Sequence, residues 1–140
     1  MARTNFYEAK KEAWEYYQQW RKEKTYCPAL ECEVRVSLKG WYHLVGKGYK
    51  PRARNDQIRR FKLLPHAKKI IEGSNFIQDM REKKGQTFYA LEGMIPVTQN
   101  GVTAPRKVRV VLIEDKNKNK IFFSILDKKD KRNRGTKKSS

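Results

Sequence analysis

The sequence predicts an α+β domain, with N-terminal helices packed on one face of a four- to five-stranded, mainly antiparallel sheet. Three observations lead there. Apolar residues recur at three- and four-residue steps near the start of the chain, they alternate from about residue 75 onward, and Gly- or Asn-Gly turn signals punctuate that second region. Helices first and a meander after is the order of such a fold. With 140 residues the chain is long enough for one core and too short for two, so residues 1–126 are expected to form a single domain.

The first element is expected over residues 5–24. Phe6, Ala9, Ala13, Tyr16, Tyr17 and Trp20 share one helical face; Thr4 or Asn5 can cap it, and Asn5 with Glu8 three residues on has the form of a capping box. Packing in the core is the expected use of this aromatic stripe. CEVRVSLKG alternates strictly, which predicts a half-buried strand over 32–39 with Cys32, Val34, Val36 and Leu38 inward. Gly40, Gly46 and Gly48 then loosen the backbone, so His43 is expected at a strand end or in the following loop. A helical segment follows over 55–72, capped by Asn55 and ended by Gly73; Pro65 either kinks it or divides it in two. Four strands complete the sheet, at 75–81, 86–95, 107–114 and 120–126, joined by Lys84-Gly85, a loop with Asn100-Gly101 and Pro105, and KNKNK. Residues 127–140 are too charged and too poor in apolar side chains to pack, and read as a basic disordered tail.

Charge is the strongest clue to partners. There are 33 Lys plus Arg against 15 Asp plus Glu, a net +18, and the tail's seven bases against two acids leave +13 on the domain. A polyanion is the natural counter-charge, with nucleic acid ahead of a membrane surface or an acidic protein. Between Lys47 and Lys69 nine bases stand against Asp56 alone. Lys50, Arg59, Arg60 and Lys62 belong to this run and are expected to contact phosphates, whereas a merely solvated helix face would interleave acids with bases. Trp41, Tyr42 and Tyr49 lie among the same charges, where aromatic rings suit single-stranded or looped RNA. Trp41 and Tyr42 are equally suited to the core.

No stretch has the length or hydropathy of a membrane span, and the charged first 30 residues do not resemble a signal peptide, so the expectation is a cytoplasmic protein without membrane contact. Cys27 and Cys32 lack the companions of a metal site. A disulfide between them is geometrically possible, although Cys32 on a buried strand face reads more simply as a small hydrophobe.

The order of WYHLVGKG, RNDQIRRFKLLPHAKKIIEG and a meander closing in KIFFSILD resembles the superfamily of metal-independent RNases that groups barnase, EndoU, colicin D and RelE-like proteins, and within it the phage-associated and polymorphic-toxin branches. The similarity spans roughly residues 30–126 in short, degenerate motifs. It implies a cleft shared by His43, the Lys47 to Arg60 basic cluster, in which Lys47, Arg52 and Arg54 are the catalytic candidates, and Ser124 in FFSIL. Some relatives carry a second active-site histidine; His66, beside Pro65, is the one other histidine here and matches that role poorly.

The chemistry expected of such a cleft needs no cofactor. RNA supplies its own nucleophile, the 2′-OH, so His43 would move a proton while Lys47, Arg52 or Arg54 stabilise the developing charge. Scattered acids fit this better than two-metal catalysis does. Ser124 would bind a phosphate oxygen if Phe123 and Ile125 point inward; otherwise it is an ordinary serine on a solvated strand face. The leading expectation is therefore an endoribonuclease of a toxin or mobile element acting on RNA, tRNA or another structured RNA foremost, with an acidic antitoxin or immunity protein as its partner. Two alternatives are a non-catalytic RNA- or DNA-binding module and an assembly protein contacting packaged nucleic acid.

Overall fold

The computed structural model describes residues 5–47 and 50–127. Helix α1 (Phe6–Arg21) begins where Asn5 Oδ1 accepts the backbone N–H groups of Tyr7 and Glu8 at 2.8 and 3.2 Å. Of the two candidate caps, Asn5 is the one that serves. Its inward face carries Ala13, Tyr17 and Trp20, and Trp20 Nε1 donates to the buried Thr25 hydroxyl at 2.9 Å, so the ring's polar end is satisfied as the chain turns into the sheet.

Strands β1 (Tyr26–Cys27) and β2 (Cys32–Arg35) form a short hairpin at one margin, with Cys27 directly opposite Cys32. Both are free thiols; Cys27 is buried and Cys32 is the half-buried one. The expected strand over 32–39 stops early. Ser37 Oγ accepts the Lys39 N–H at 3.2 Å and starts helix α2 (Leu38–Val45), so WYHLV is helical rather than a strand end or loop. Alternation could not reveal this, because a side-chain oxygen that captures a backbone donor offers the chain a helix start in mid-pattern. Gly40 lets α2 settle onto the sheet: a Cβ there would lie 2.7 Å from the Phe122 ring and 2.8 Å from the Phe122 carbonyl.

After the short ribbon β3 (Gly46–Lys47) and β4 (Lys50–Pro51), the second helical segment runs as α3 (Arg54–Leu63), a 3₁₀ turn (Leu64–His66) and α4 (Ala67–Gly73). Pro65 falls in the 3₁₀ turn and divides the segment. Ala53, not Asn55, occupies the cap position of α3, and no side chain caps it.

The sheet is six-stranded and mixed, in the order β1-β2-β8-β7-β6-β5, rather than four- to five-stranded. Its remaining members are β5 (Asp79–Lys83), β6 (Gln86–Gln99), β7 (Val102–Glu114) and β8 (Lys120–Asp127). Their neighbours are antiparallel as expected; among the described residues the one parallel pairing is β2 with β8, over Val34↔Lys120 and Arg35↔Ile121. Asn100-Gly101 is a two-residue turn with φ of 52° and 77°, so β6 and β7 run on through Pro96 and Pro105, which face each other. Beyond Ala90 on one side and Val108 on the other, this hairpin has no further strand beside it among the described residues.

The four α-helices among the described residues pack on one face of the sheet. Leu91, Val108, Val110, Leu112, Phe122 and Ile125 meet them there in a core completed by Tyr17, Trp20, Trp41, Leu44, Phe61 and Ile71. Ala90 and Ile113 are buried as well but lie on the other face, outside this cluster. No helix among the described residues is long and apolar enough to cross a membrane. Apart from Asp127, which belongs to β8, the predicted tail lies outside the described residues.

Candidate nucleic-acid interface

β8 organises the site. Its pairing with β7 shifts register between Val111 and Leu112, which face Ser124 and Phe122 respectively, so Phe123 is an extra, bulged residue. Such a bulge re-aims side chains. Phe122 enters the core against Trp20, with ring centroids 4.9 Å apart, while Phe123 turns toward His43 and Phe88, at 4.0 and 5.8 Å. Ser124 lies opposite Val111, away from the core residue Ile125, yet it is not on a solvated face: it is 3% exposed, and its hydroxyl accepts from Arg60 Nη1 at 2.8 Å.

His43 sits in the last turn of α2, one turn beyond Gly40, half-buried against Phe123. Arg52 reaches it from the segment after β4. Its backbone N–H donates to Val45 O at 3.0 Å and its Nε to His43 O at 2.7 Å, which places a cation on the carbonyl end of α2. Arg52 Nη2 lies 3.3 Å from both ring nitrogens of His43. A guanidinium only donates, so this contact favours the neutral ring. Burial, and then the charges of Arg52 and Arg60, lower the His43 pKa from 6.5 to about 4.

One carboxylate ties the cations together. Asp56, in the first turn of α3, meets Arg52 at 3.2 Å, Arg59 at 3.4 Å and Arg60 at 3.3 Å. Burial alone would raise its pKa, but Arg60 and Arg52 overcome that and hold it below its ordinary value. Arg60 then bridges to the sheet through Ser124 Oγ and the Ile125 carbonyl, the latter at 3.1 Å. That carbonyl lies beyond the point where β2 leaves β8, so the guanidinium supplies a donor that no strand provides there. His43, Arg52, Asp56, Arg60 and Ser124 thus form one connected cluster on the rim of the sheet.

The other predicted residues divide. Trp41 is buried, stacked on Phe61 at 5.7 Å and 9° and touching Trp14, so it is a core ring and no platform for bases. Tyr42, its neighbour, is exposed. Arg54 is not brought to His43; it lies over the rings of Phe6 and Tyr7 and donates to the Tyr7 hydroxyl at 2.7 Å. Arg59 and Lys62 line a cleft of about 520 Å³ between α3 and the ends of β6, β7 and β8, with Arg106 and Asp127 opposite. The backbones of Lys47 and Lys50 pair across β3 and β4, while their side chains and Tyr49 lie outside what the structure describes. His66 lies in the 3₁₀ turn whose Pro65 carbonyl accepts from Tyr16; burial and Lys69 lower its pKa, and no group of the His43 cluster acts on it.

Sequence reasoning missed the organising role of Asp56 and the part played by Phe123. A signal for the first was present: Asp56 and Arg60 stand four residues apart within the predicted helix, the spacing of side chains that meet on one helix face, and Asp56 is the single acid of the whole basic run. Among the described residues no group of three or more His, Cys, Asp or Glu side chains could hold a metal ion. No protein-family model matches the chain, and no curated protein or solved structure matches it either.

Proposed function

We propose that the chain is an endoribonuclease that cleaves RNA by attack of the 2′-OH on the adjacent phosphodiester, and that it serves as a toxin or effector of a phage or mobile element. The observation that carries this reading is the contact of a neutral, half-buried imidazole with Arg52 beside a second, anchored guanidinium, Arg60. His43 accepts the 2′-OH proton as the new phosphorus–oxygen bond forms. Arg52 and Arg60 stabilise the charge of the pentacoordinate phosphorane, a contribution on the order of 3 kcal/mol for a positioned donor. The bond to the 5′-oxygen breaks, that oxygen takes a proton from solvent, and the products are a 2′,3′-cyclic phosphate and a 5′-OH.

An imidazole with a pKa near 4 is a weak base in the free protein. A phosphodiester against Arg52 and Arg60 offsets their charge and raises that value in the complex, so substrate binding itself tunes the base. The net charge of +18 suits RNA as substrate and an acidic inhibitor as partner.

One observation favours a non-catalytic nucleic-acid-binding module instead: His43 is the only histidine in the cluster, and no second proton-transfer group suited to neutral pH stands beside it among the described residues. Incubation with total RNA in EDTA separates the two readings. The nuclease reading expects discrete fragments ending in cyclic phosphate from the native protein and none from His43→Ala, which still binds RNA. Intact RNA with the native protein at high concentration would leave the binding module alone.

A further inference from the structure

The helix-free face of the sheet carries an aromatic row that begins at the His43 cluster. Phe123 contacts the imidazole, and Phe88 of β6 contacts Phe123 with its ring at 66° to it. Phe88 lies opposite Ile113 in the β6–β7 ladder, on the face that the helices leave bare. Next to it is a shallow recess of about 130 Å³, floored by Ala90 and Val111 and bordered by Asp79, Arg81 and Arg109. Arg81 is 76% exposed, and its Nε donates to Asp79 Oδ2 at 3.0 Å. Arg109 is held by Glu92 at 2.7 Å. The recess therefore pairs an apolar, partly aromatic floor with hydrogen-bonding groups at its lip.

We propose that this recess is a base-binding subsite for a single-stranded polynucleotide: a nucleobase stacks on Phe88, its polar edge meets Asp79 and Arg81, and the strand runs along Phe123 to the guanidinium groups of Arg52 and Arg60. Charge complementarity selects this occupant. At one end of the row Arg52, Arg59 and Arg60 share the single carboxylate of Asp56, which leaves excess positive charge for phosphates, and at the other end the exposed Arg81–Asp79 pair offers donors and acceptors to a base edge; this suits an anionic strand whose bases are free to turn onto rings. A paired duplex buries its base faces and cannot use the row. The subsite deepens the nuclease reading and rests on it for its connection to His43, but its own test needs no cleavage.

The probe is a short single-stranded deoxyoligonucleotide carrying 2-aminopurine, which lacks the 2′-OH nucleophile and stays intact. Binding to the native protein is expected to change the 2-aminopurine fluorescence through stacking. Phe88→Leu should weaken binding about ten-fold and abolish the change, Phe88→Trp should restore both, and Arg81→Ala, at an exposed position, should weaken binding several-fold with the fold intact. Native-like binding and fluorescence in both Phe88→Leu and Arg81→Ala would overturn the subsite, as would an equal response to the same probe in a duplex. If the native protein cuts RNA while these variants bind the probe normally, the subsite alone fails. If the variants lose binding while no RNA is ever cut, the subsite stands and the nuclease reading fails.

Discussion

The depressed pKa of His43 makes stability depend on pH in a calculable way. In the unfolded chain the imidazole titrates near 6.5, and in the folded protein near 4. Between these values the unfolded state binds more protons than the folded one, so stability rises with pH across that window and is lost as pH falls from about 6.5 to about 4. The separation sets a ceiling of about 3 kcal/mol from this one residue, and solvent screening at a half-buried ring brings it to about 1–2 kcal/mol, still a sizeable share of the net stability of a small domain. Urea unfolding of the native protein and of His43→Asn at pH 7 and pH 4 isolates the contribution, because the other titrating groups are common to both. The native protein should lose about 1–2 kcal/mol more than the variant between the two pH values. Arg52→Gln should recover part of the difference by removing a neighbouring charge while leaving burial in place. An NMR titration of the two histidines reads the same quantity directly. A His43 pKa above 6, or equal acid sensitivity in His43→Asn, would show that the ring is neither shielded from solvent nor in contact with Arg52, and the proposed base would lose its physical setting.

Arg60→Met removes the donors to Ser124 and Ile125 and should cost about 2 kcal/mol in urea unfolding while lowering any RNA cleavage about a hundred-fold. Arg54→Ala, at a side chain that lies against Phe6 and Tyr7 at the start of α1, should leave the cleavage rate unchanged; a comparable loss would mean that the catalytic cations have been misassigned. Gly40→Ala forces a methyl group against Phe122 and should lower stability by about 2 kcal/mol, read as a drop in melting temperature. RNA affinity should fall linearly on a log–log plot against salt, and Lys62→Ala should reduce the slope by about 1, measured by fluorescence anisotropy.

The parts of this fold that were legible in the sequence are those where a local pattern has no rival. The cap and aromatic face of α1 and the antiparallel run from β5 to β8 follow from periodicity and turn chemistry, which act over a few residues. The helix at Leu38–Val45 was not legible, because one serine changes the outcome where alternation alone predicts a longer strand. The two-residue strand β1 and the parallel pairing of β2 with β8 were hidden for another reason: both depend on which distant segment lies alongside. The site divides in the same way. Composition picks out His43 and the basic run around it. The turn of Phe123 toward His43 depends on a bulge one residue wide, the burial of Ser124 depends on Arg60 arriving from α3, and the separation of Arg54 from its neighbours Arg52 and Arg60 depends on helix phase together with the position of α1.

Pro96 and Pro105 face one another in the projecting hairpin and leave a mark on how copies of this chain meet. Neither has an N–H to give, so each outer edge of the ribbon lacks a donor where an incoming strand would need one. Mutual repulsion keeps such cationic molecules apart in dilute buffer, but a concentrated electrolyte removes that barrier. Under those conditions the imino-acid pair is what discourages the hairpins of two molecules from zipping into a continuous ladder. Replacing both prolines with threonine would produce a protein that stays dispersed in weak buffer and clumps in brine.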